Sequence, residues 1–168
     1  FMADKAGSIA GSTVNDASNE IIFPIAADGT KTYSYGTSMF LIASTHTSGM
    51  FDWGTTEGWG GNRARAALVE KFFPDGIAAT DSATLAGGLP DLAGDDRALF
   101  YAYERTIDIT KYTTFKQGLS VTKWTNVRAD GGTTNDITWT DTDVPFMRKA
   151  EAYLTYAEAV LRGGAKID

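Results

Sequence analysis

The side chains best suited to chemistry are concentrated in one stretch, between positions 33 and 65. Flat aromatic rings and planar polar groups are both frequent there, and several glycines leave space around them. Trp and Tyr offer large flat faces with few torsions to freeze, and Asn, Asp and Arg offer hydrogen-bonding groups. The mixture equips this stretch to bind a ligand by stacking and hydrogen bonding. The candidate ligand-binding residues are Tyr33, Tyr35, Asp52, Trp53, Trp59, Asn62 and Arg65.

Each aromatic candidate also has a structural interpretation, in which the ring only packs the chain. Trp59 follows a Gly-rich turn, so it either packs that turn onto the next helix or contacts a ligand. The same two roles are open for Tyr33 and Tyr35, whereas ligand contact is favoured for Trp53 because its surroundings are less patterned. Two further tryptophans are assigned packing roles: Trp124 in a strand-like core pattern, and Trp139 between two threonines as a solvated or packing residue.

Catalytic and metal chemistry have little support in the sequence. Asp52 and Glu57, five residues apart, are the carboxylate pair that could hydrolyse a glycoside. His46 is the only histidine, and no Gly-x-Ser-x-Gly motif accompanies it. The chain has no Cys, so a zinc site is not expected. The Asp-rich turns at 91–96 and 136–143 could attract calcium but lack the spacing of a calcium-binding loop. No cofactor is predicted.

Composition narrows the class of protein further. The chain has 168 residues, a net charge of −6 and 43% hydrophobic residues, which fits one folded domain. An acidic chain without a basic face is poorly suited to nucleic acids or anionic lipids. The absence of Cys excludes disulfides, and no window has the length and hydropathy of a membrane span.

The elements that must position these residues are short and of both types. The pattern predicts an edge strand at 21–25, because Pro24 cannot donate a hydrogen bond to a neighbouring strand. It predicts a helix at 63–73 that Asn62 caps. The remaining predicted elements are a short helix near 38–43, a small-residue loop at 75–95, and strands at 97–109 and 118–127. Residues 1–18 are expected to form a loop or a frayed helix end.

The longest predicted helix lies near the end of the chain. Asp143 is a candidate N-cap, Pro145 falls in the first turn, and Gly163 ends the helix. Apolar residues recur at three- and four-residue spacing: Phe146, Met147, Ala150, Tyr153, Leu154, Ala157, Val160 and Leu161. Such a stripe should bury against a partner helix, and we expect that partner to lie outside this chain.

This helix also carries a family resemblance. Residues 145–159, Pro-Phe-Met-Arg-Lys-Ala-Glu-Ala-Tyr-Leu-Thr-Tyr-Ala-Glu-Ala, resemble the P-x-x-R-x-A-E-x-x-L-x-Y-A-E-A segment of the SusD/RagB family. Three more segments resemble the family in the same order. They are Asn-Glu-Ile-Ile-Phe-Pro-Ile at 19–25, Gly-Trp-Gly-Gly-Asn-Arg at 58–63, and Asp-Arg-Ala-Leu-Phe at 96–100 followed by Gly-Leu-Ser-Val-Thr-Lys-Trp-Thr-Asn at 118–126.

The resemblance implies a non-catalytic nutrient-binding lipoprotein on the surface of Bacteroidetes-type bacteria. Such proteins capture glycans, or in some members peptides, and pass them to a SusC-like, TonB-dependent outer-membrane transporter. It implies that the chain is the C-terminal portion of a longer lipoprotein whose lipid anchor lies on an N-terminal part. The implied fold is an α+β segment of a mainly α-helical, tetratricopeptide-containing structure. Residues 1–140 would form the subdomain and 141–168 a tetratricopeptide-like helix truncated before its partner.

Two alternatives to glycan capture stay open. One is a glycoside hydrolase that uses Asp52 and Glu57. The other is a scaffold segment that docks on the transporter, with the ligand site elsewhere in the parent protein.

Overall fold

The computed structural model describes residues 19–47, 49–50 and 53–166, in which short strands and helices are joined by long loops. This is the α+β segment that the sequence predicts; residues 1–18 lie outside the described ranges. The elements in order are β1 (Ile21–Ile25), α1 (Thr37–Ala43), α2 (Ala66–Val69), a π-helical turn (Thr84–Gly88) that continues into α3 (Leu89–Ala93), β2 (Phe100–Tyr101), β3 (Ser120–Val121), β4 (Val144–Arg148) and α4 (Lys149–Leu161).

Two small antiparallel sheets hold distant parts of the chain together. β1 pairs with β4, from Ile21 opposite Arg148 to Ile25 opposite Val144. β2 pairs with β3 in a second two-stranded sheet. The prediction of β1 as an edge strand is confirmed. In a two-stranded sheet each strand has a free edge, which tolerates a proline that has no N–H to donate.

The last helix begins later than the sequence predicts. Residues 144–148 form β4, and α4 starts only at Lys149. Proline disfavours the helical conformation in the residue before it, so Val144 is driven towards the extended conformation. Asp143 does not cap α4; its Oδ1 accepts a hydrogen bond from the backbone N–H of Ala27 at 2.9 Å. The backbone N–H groups at the N-terminus of α4 are instead bound by Glu20, the residue before β1, which accepts those of residues 149 and 150.

Other predicted boundaries also change. The helix expected at 63–73 is a single turn, α2, whose N-cap position is Arg65. Asn62 does not cap it and instead donates its side-chain N–H to Ser44 Oγ at 2.9 Å. The loop expected at 75–95 contains the π-helical turn and α3, and the two predicted strands shrink to two residues each. The strand expected at 97–109 cannot continue past Glu104, whose φ of +55° lies outside the extended region.

The main hydrophobic core lies between α2, α3 and the β2–β3 sheet. Val69, Leu89 and Leu119 are fully buried there, with Phe73 and Phe100 beside them. One face of α1 is buried separately, through Met39, Ile42 and Ala43.

α4 has a different environment, since none of its residues is buried. Tyr153, Leu154 and Leu161 are 72%, 71% and 88% exposed. The apolar stripe is therefore uncovered by the described residues. No helix in those ranges is both long and apolar enough to cross a membrane.

Candidate functional site

Five aromatic rings from three separate segments form a continuous row, which we call the aromatic row. Tyr33 and Tyr35 both contact Trp139, with ring centroids 5.6 Å and 4.9 Å away. Tyr35 also contacts Trp59 at 5.8 Å, and Trp59 contacts Phe40 at 6.3 Å. Tyr33, Tyr35 and Phe40 are 62%, 58% and 47% exposed. Clustered exposed rings of this size are unusual on a folded surface and typically mark a binding surface.

The N-terminal part of the row depends on a turn and on α1. Tyr33 and Tyr35 flank Ser34, whose Oγ accepts the backbone N–H of Gly36 at 3.0 Å and so fixes the turn before α1. Phe40 lies on the exposed side of α1, opposite the buried residues of that helix. Helical geometry therefore presents this ring to the surface while the other face of α1 anchors it.

Trp59 is held by hydrogen bonds at both ends of the residue. Its backbone N–H donates to Ala43 O at the end of α1, at 2.7 Å. Its indole Nε1–H donates to Glu57 Oε2 at 3.1 Å. The next residue, Gly60, has a φ of +61°, and a Cβ there would collide with the side chain of Thr47. A glycine is therefore required where the chain turns away beneath the indole.

Trp139 is positioned by an aspartate turn. Asp136 Oδ1 accepts the backbone N–H groups of Thr138 at 2.7 Å and of Trp139 at 3.1 Å. Because these bonds favour the ionised carboxylate, they lower the pKa of Asp136. A buried hydroxyl pair, Thr140 Oγ1 and Ser38 Oγ at 2.9 Å, then ties the turn to α1. The Trp139 turn and α1 therefore form one support for the row.

Asp141 is buried two residues after Trp139 and lies beside Gly29. Its Oδ2 accepts the backbone N–H of Asn135 at 2.8 Å. Its Oδ1 makes no hydrogen bond to a described residue and faces Gly29, where a Cβ would overlap it. Burial raises the pKa of Asp141 to about 6; the bond from Asn135 opposes the shift, and the charges of Asp28 and Asp136 add to it. The row thus has a buried carboxylate with a raised pKa in its support.

Comparison with known proteins identifies the family. A model of the SusD family matches residues 81–166. The chain belongs to the SusD family. It is 39% identical over 192 aligned residues to the starch-binding protein SusD of Bacteroides thetaiotaomicron; the alignment covers 98% of this chain and 34% of that protein. The chain thus spans about a third of the length of this curated relative, and the resemblance noted in the sequence is confirmed.

The structure brings only some of the predicted site residues into the aromatic row. Tyr33, Tyr35 and Trp59 meet there. Trp53 does not, since it is only 7% exposed and packs edge-on against the ring of His46. The expectation of ligand contact by Trp53 is therefore replaced by a packing role. Asp52 lies outside the described residues, so its place relative to the row is not described.

Asn62 and Arg65 lie in a different place, a groove beside α1 with a volume of about 610 Å³. Trp124 lines the same groove and is half-buried, instead of lying in the core as the sequence predicts. Asn62 and Arg65 are thus on a separate surface from the stacking rings, on the side of α1 that carries Leu41.

Glu57, the other half of the proposed carboxylate pair, is next to the row but is already engaged with Trp59. Among the described residues, no three His, Asp or Glu side chains are grouped so that they could hold a metal ion. In the two Asp-rich turns considered for calcium, Asp95 accepts the backbone N–H and the guanidinium of Arg97, and Asp136 accepts the backbone N–H groups of Thr138 and Trp139.

Two members of the row, Phe40 and Trp139, are absent from the candidates identified in the sequence. Phe40 lies in a continuous apolar run, residues 39–43, which does not reveal that its ring is on the exposed side of α1. Trp139 had no sequence signal either. Its approach to the two tyrosines depends on contacts between residues more than 100 positions apart in the chain, such as the bond between Ser38 and Thr140.

Proposed function

We propose that this chain supplies a non-catalytic glycan-binding surface centred on the aromatic row. The observation that carries the proposal is the row itself, with five neighbouring rings of which three are about half exposed or more. A SusD-family relative that is named a starch-binding protein supports a polysaccharide ligand, and an α-glucan is the first to test.

The mechanism would be stacking with orientation by hydrogen bonds. The C–H face of a sugar ring packs against the tilted aromatic faces, and each covered face contributes roughly 1 kcal/mol. The hydroxyls of Tyr33 and Tyr35 can donate to or accept from sugar hydroxyls. Because the N–H of Trp59 is bound to Glu57, this indole offers the ligand its face. A shallow surface of this kind gives modest affinity and allows release.

A binding role fits the site better than glycoside hydrolysis by Asp52 and Glu57. The carboxylate of Glu57 is used as the acceptor for Trp59, and the relative is named for binding rather than for a reaction. The third possibility, a transporter-docking scaffold without its own ligand site, has no single contact in its favour, whereas the exposed row favours a ligand site.

The cellular part of the proposal rests on family resemblance. We infer that the parent protein is a lipoprotein of the outer membrane, exposed at the cell surface, that delivers its ligand to a SusC-like TonB-dependent transporter. α4, at Lys149–Leu161, would be a tetratricopeptide-like helix that packs on helices elsewhere in that protein. The uncovered apolar stripe of α4 supports this last point.

The test compares tryptophan variants of the full-length protein by calorimetry and by affinity electrophoresis in gels that contain soluble starch. Trp59→Ala and Trp139→Ala should each weaken binding by about fivefold, since losing one stacked face costs roughly 1 kcal/mol. Trp124→Ala is the matched control, because it removes the same side chain from the groove beside α1; it should bind within about twofold of the parent.

Three results would overturn the proposal. If both row variants bind like the parent while Trp124→Ala does not, the ligand site is the groove. If reducing sugar is released from starch and Glu57→Gln abolishes that release, the protein is a hydrolase. Retrieval of a SusC-like transporter by a protein with no affinity for any polysaccharide of a panel would favour the scaffold.

A further inference from the structure

We propose that Glu57 is a positioning residue that fixes the plane of the Trp59 indole for the ligand. This inference rests on the proposed glycan-binding function of the aromatic row and extends it to a side chain that need not touch the sugar. Glu57 is half-buried beside the row, and its Oε2 accepts the indole Nε1–H of Trp59 at 3.1 Å.

The backbone of Glu57 is held by hydrogen bonds on both sides of the residue. The N–H of Glu57 donates to Thr55 Oγ1 at 3.2 Å, and its carbonyl oxygen lies 3.3 Å from His46 Nδ1. Thr55 in turn donates its hydroxyl to Thr138 O at 3.1 Å, in the turn that carries Trp139. The backbone that carries the acceptor carboxylate is therefore fixed relative to the turn that bears Trp139, and the bond to Trp59 then joins the carboxylate to the indole.

The turn at Gly58, between Glu57 and Trp59, leaves the backbone little freedom. A Cβ on Gly58 would lie 3.1 Å from the carbonyl oxygen of His46, so the chain passes too close to His46 to accept a side chain without movement. The backbone bond from Trp59 to Ala43 fixes where the indole begins. Two side-chain torsions are left, and the bond to Glu57 restrains them.

This restraint matters because stacking depends on ring orientation. Trp59 touches Tyr35 and Phe40 at tilts of 53° and 52°, contacts that many rotations of the indole would also permit. A hydrogen bond to an ionised acceptor is stronger and more directional than one between neutral groups. Without it, the ligand must order the ring on binding, and ordering one side chain costs affinity.

The experiment is a double-mutant cycle on the full-length protein, with maltoheptaose as the probe and calorimetry as the measurement. Glu57→Ala should weaken binding about fivefold, the typical effect of one lost hydrogen bond. Glu57→Gln keeps an oxygen acceptor and should bind within about twofold of the parent. In a Trp59→Phe background, which has no N–H to hold, Glu57→Ala should have no further effect.

Near-ultraviolet circular dichroism of the unliganded variants supplies a readout specific to ring orientation. Glu57→Ala should change the tryptophan bands, Glu57→Gln should restore them, and both variants should unfold at the parent's temperature. Glu70→Ala, which removes an exposed carboxylate elsewhere, controls for the change in net charge and should match the parent in both measurements.

The outcomes separate this inference from the proposed function. If Trp59→Ala binds like the parent, the aromatic row is not the site and both fail. If Trp59→Ala loses binding while Glu57→Ala keeps it, only the positioning role is overturned. If Glu57→Ala is equally damaging in the parent and in the Trp59→Phe background, the carboxylate acts independently of the indole and the positioning role is also overturned.

Discussion

Replacing Asp141 by Asn should stabilise the protein at neutral pH, although Asp141 lies among the hydrogen bonds that support the row. The carboxylate is 1% exposed, and its Oδ1 makes no hydrogen bond to a described residue. A charge in such a place is costly because burial removes its hydration. Asn has nearly the same shape, keeps an oxygen for the N–H of Asn135, and carries no charge.

The magnitude follows from the pKa of Asp141, which burial raises from 3.8 to about 6. The folded protein therefore holds a proton on Asp141 between these pH values, whereas the unfolded chain has released it. Stability must then fall as pH rises through this window and stay low above it. A shift of about two units corresponds to at most about 3 kcal/mol at pH 7.5. The variant should recover most of this, and little of it at pH 4.

The assay is urea unfolding of the full-length parent and variant at several pH values from 4 to 7.5. Asp136→Asn is the control with the opposite sign: backbone N–H groups lower the pKa of Asp136, so its contribution is present above pH 4 and lost as pH falls. This variant should be less stable than the parent at neutral pH. A difference between Asp141→Asn and the parent that does not change with pH would refute the reasoning, as would a variant less stable than the parent at pH 7.5.

Two further predictions concern the core and one turn. Leu119→Ala should destabilise the chain by about 2–4 kcal/mol, because Leu119 is fully buried between α2 and the β2–β3 sheet. In the same denaturation assay Leu161→Ala, at an 88% exposed position, should cost under about 0.5 kcal/mol. Equal losses would mean that the burial of Leu119 is wrong. Gly29→Ala should lower the melting temperature at neutral pH, because φ is +64° there and the new Cβ would overlap Asp141 Oδ1; an unchanged melting temperature would show that the turn can move away from Asp141.

The sequence predicts local structure well where a short-range signal decides it. β1 and α1 lie where the sequence predicts them; Pro24 favours an edge strand for the first, and the short helix predicted near 38–43 coincides with the second. The pattern fails at β4, where the same apolar residues fit either a helix or a strand. Pairing with β1 decides for the strand, and that partner is more than 100 positions away.

The site shows the same division between local and distant causes. Tyr33, Tyr35 and Trp59 can be identified as candidates because aromatic residues in a Gly-rich stretch are visible in the sequence. Trp53 belongs to the same stretch and is nevertheless buried, since burial depends on how the stretch folds back onto His46 and not on its composition.

The aromatic row also explains why the loops around it contain so many internal hydrogen bonds. Exposed rings gain little from burial, so they cannot hold loops of this length in place by themselves. The Asp136 turn orders the segment that carries Trp139, and the Ser38–Thr140 pair and the Thr55–Thr138 bond connect ring-bearing segments to their neighbours. Loosening any one of them should reduce glycan affinity more than it reduces overall stability, because the rings must be ordered together before a sugar can contact several of them at once.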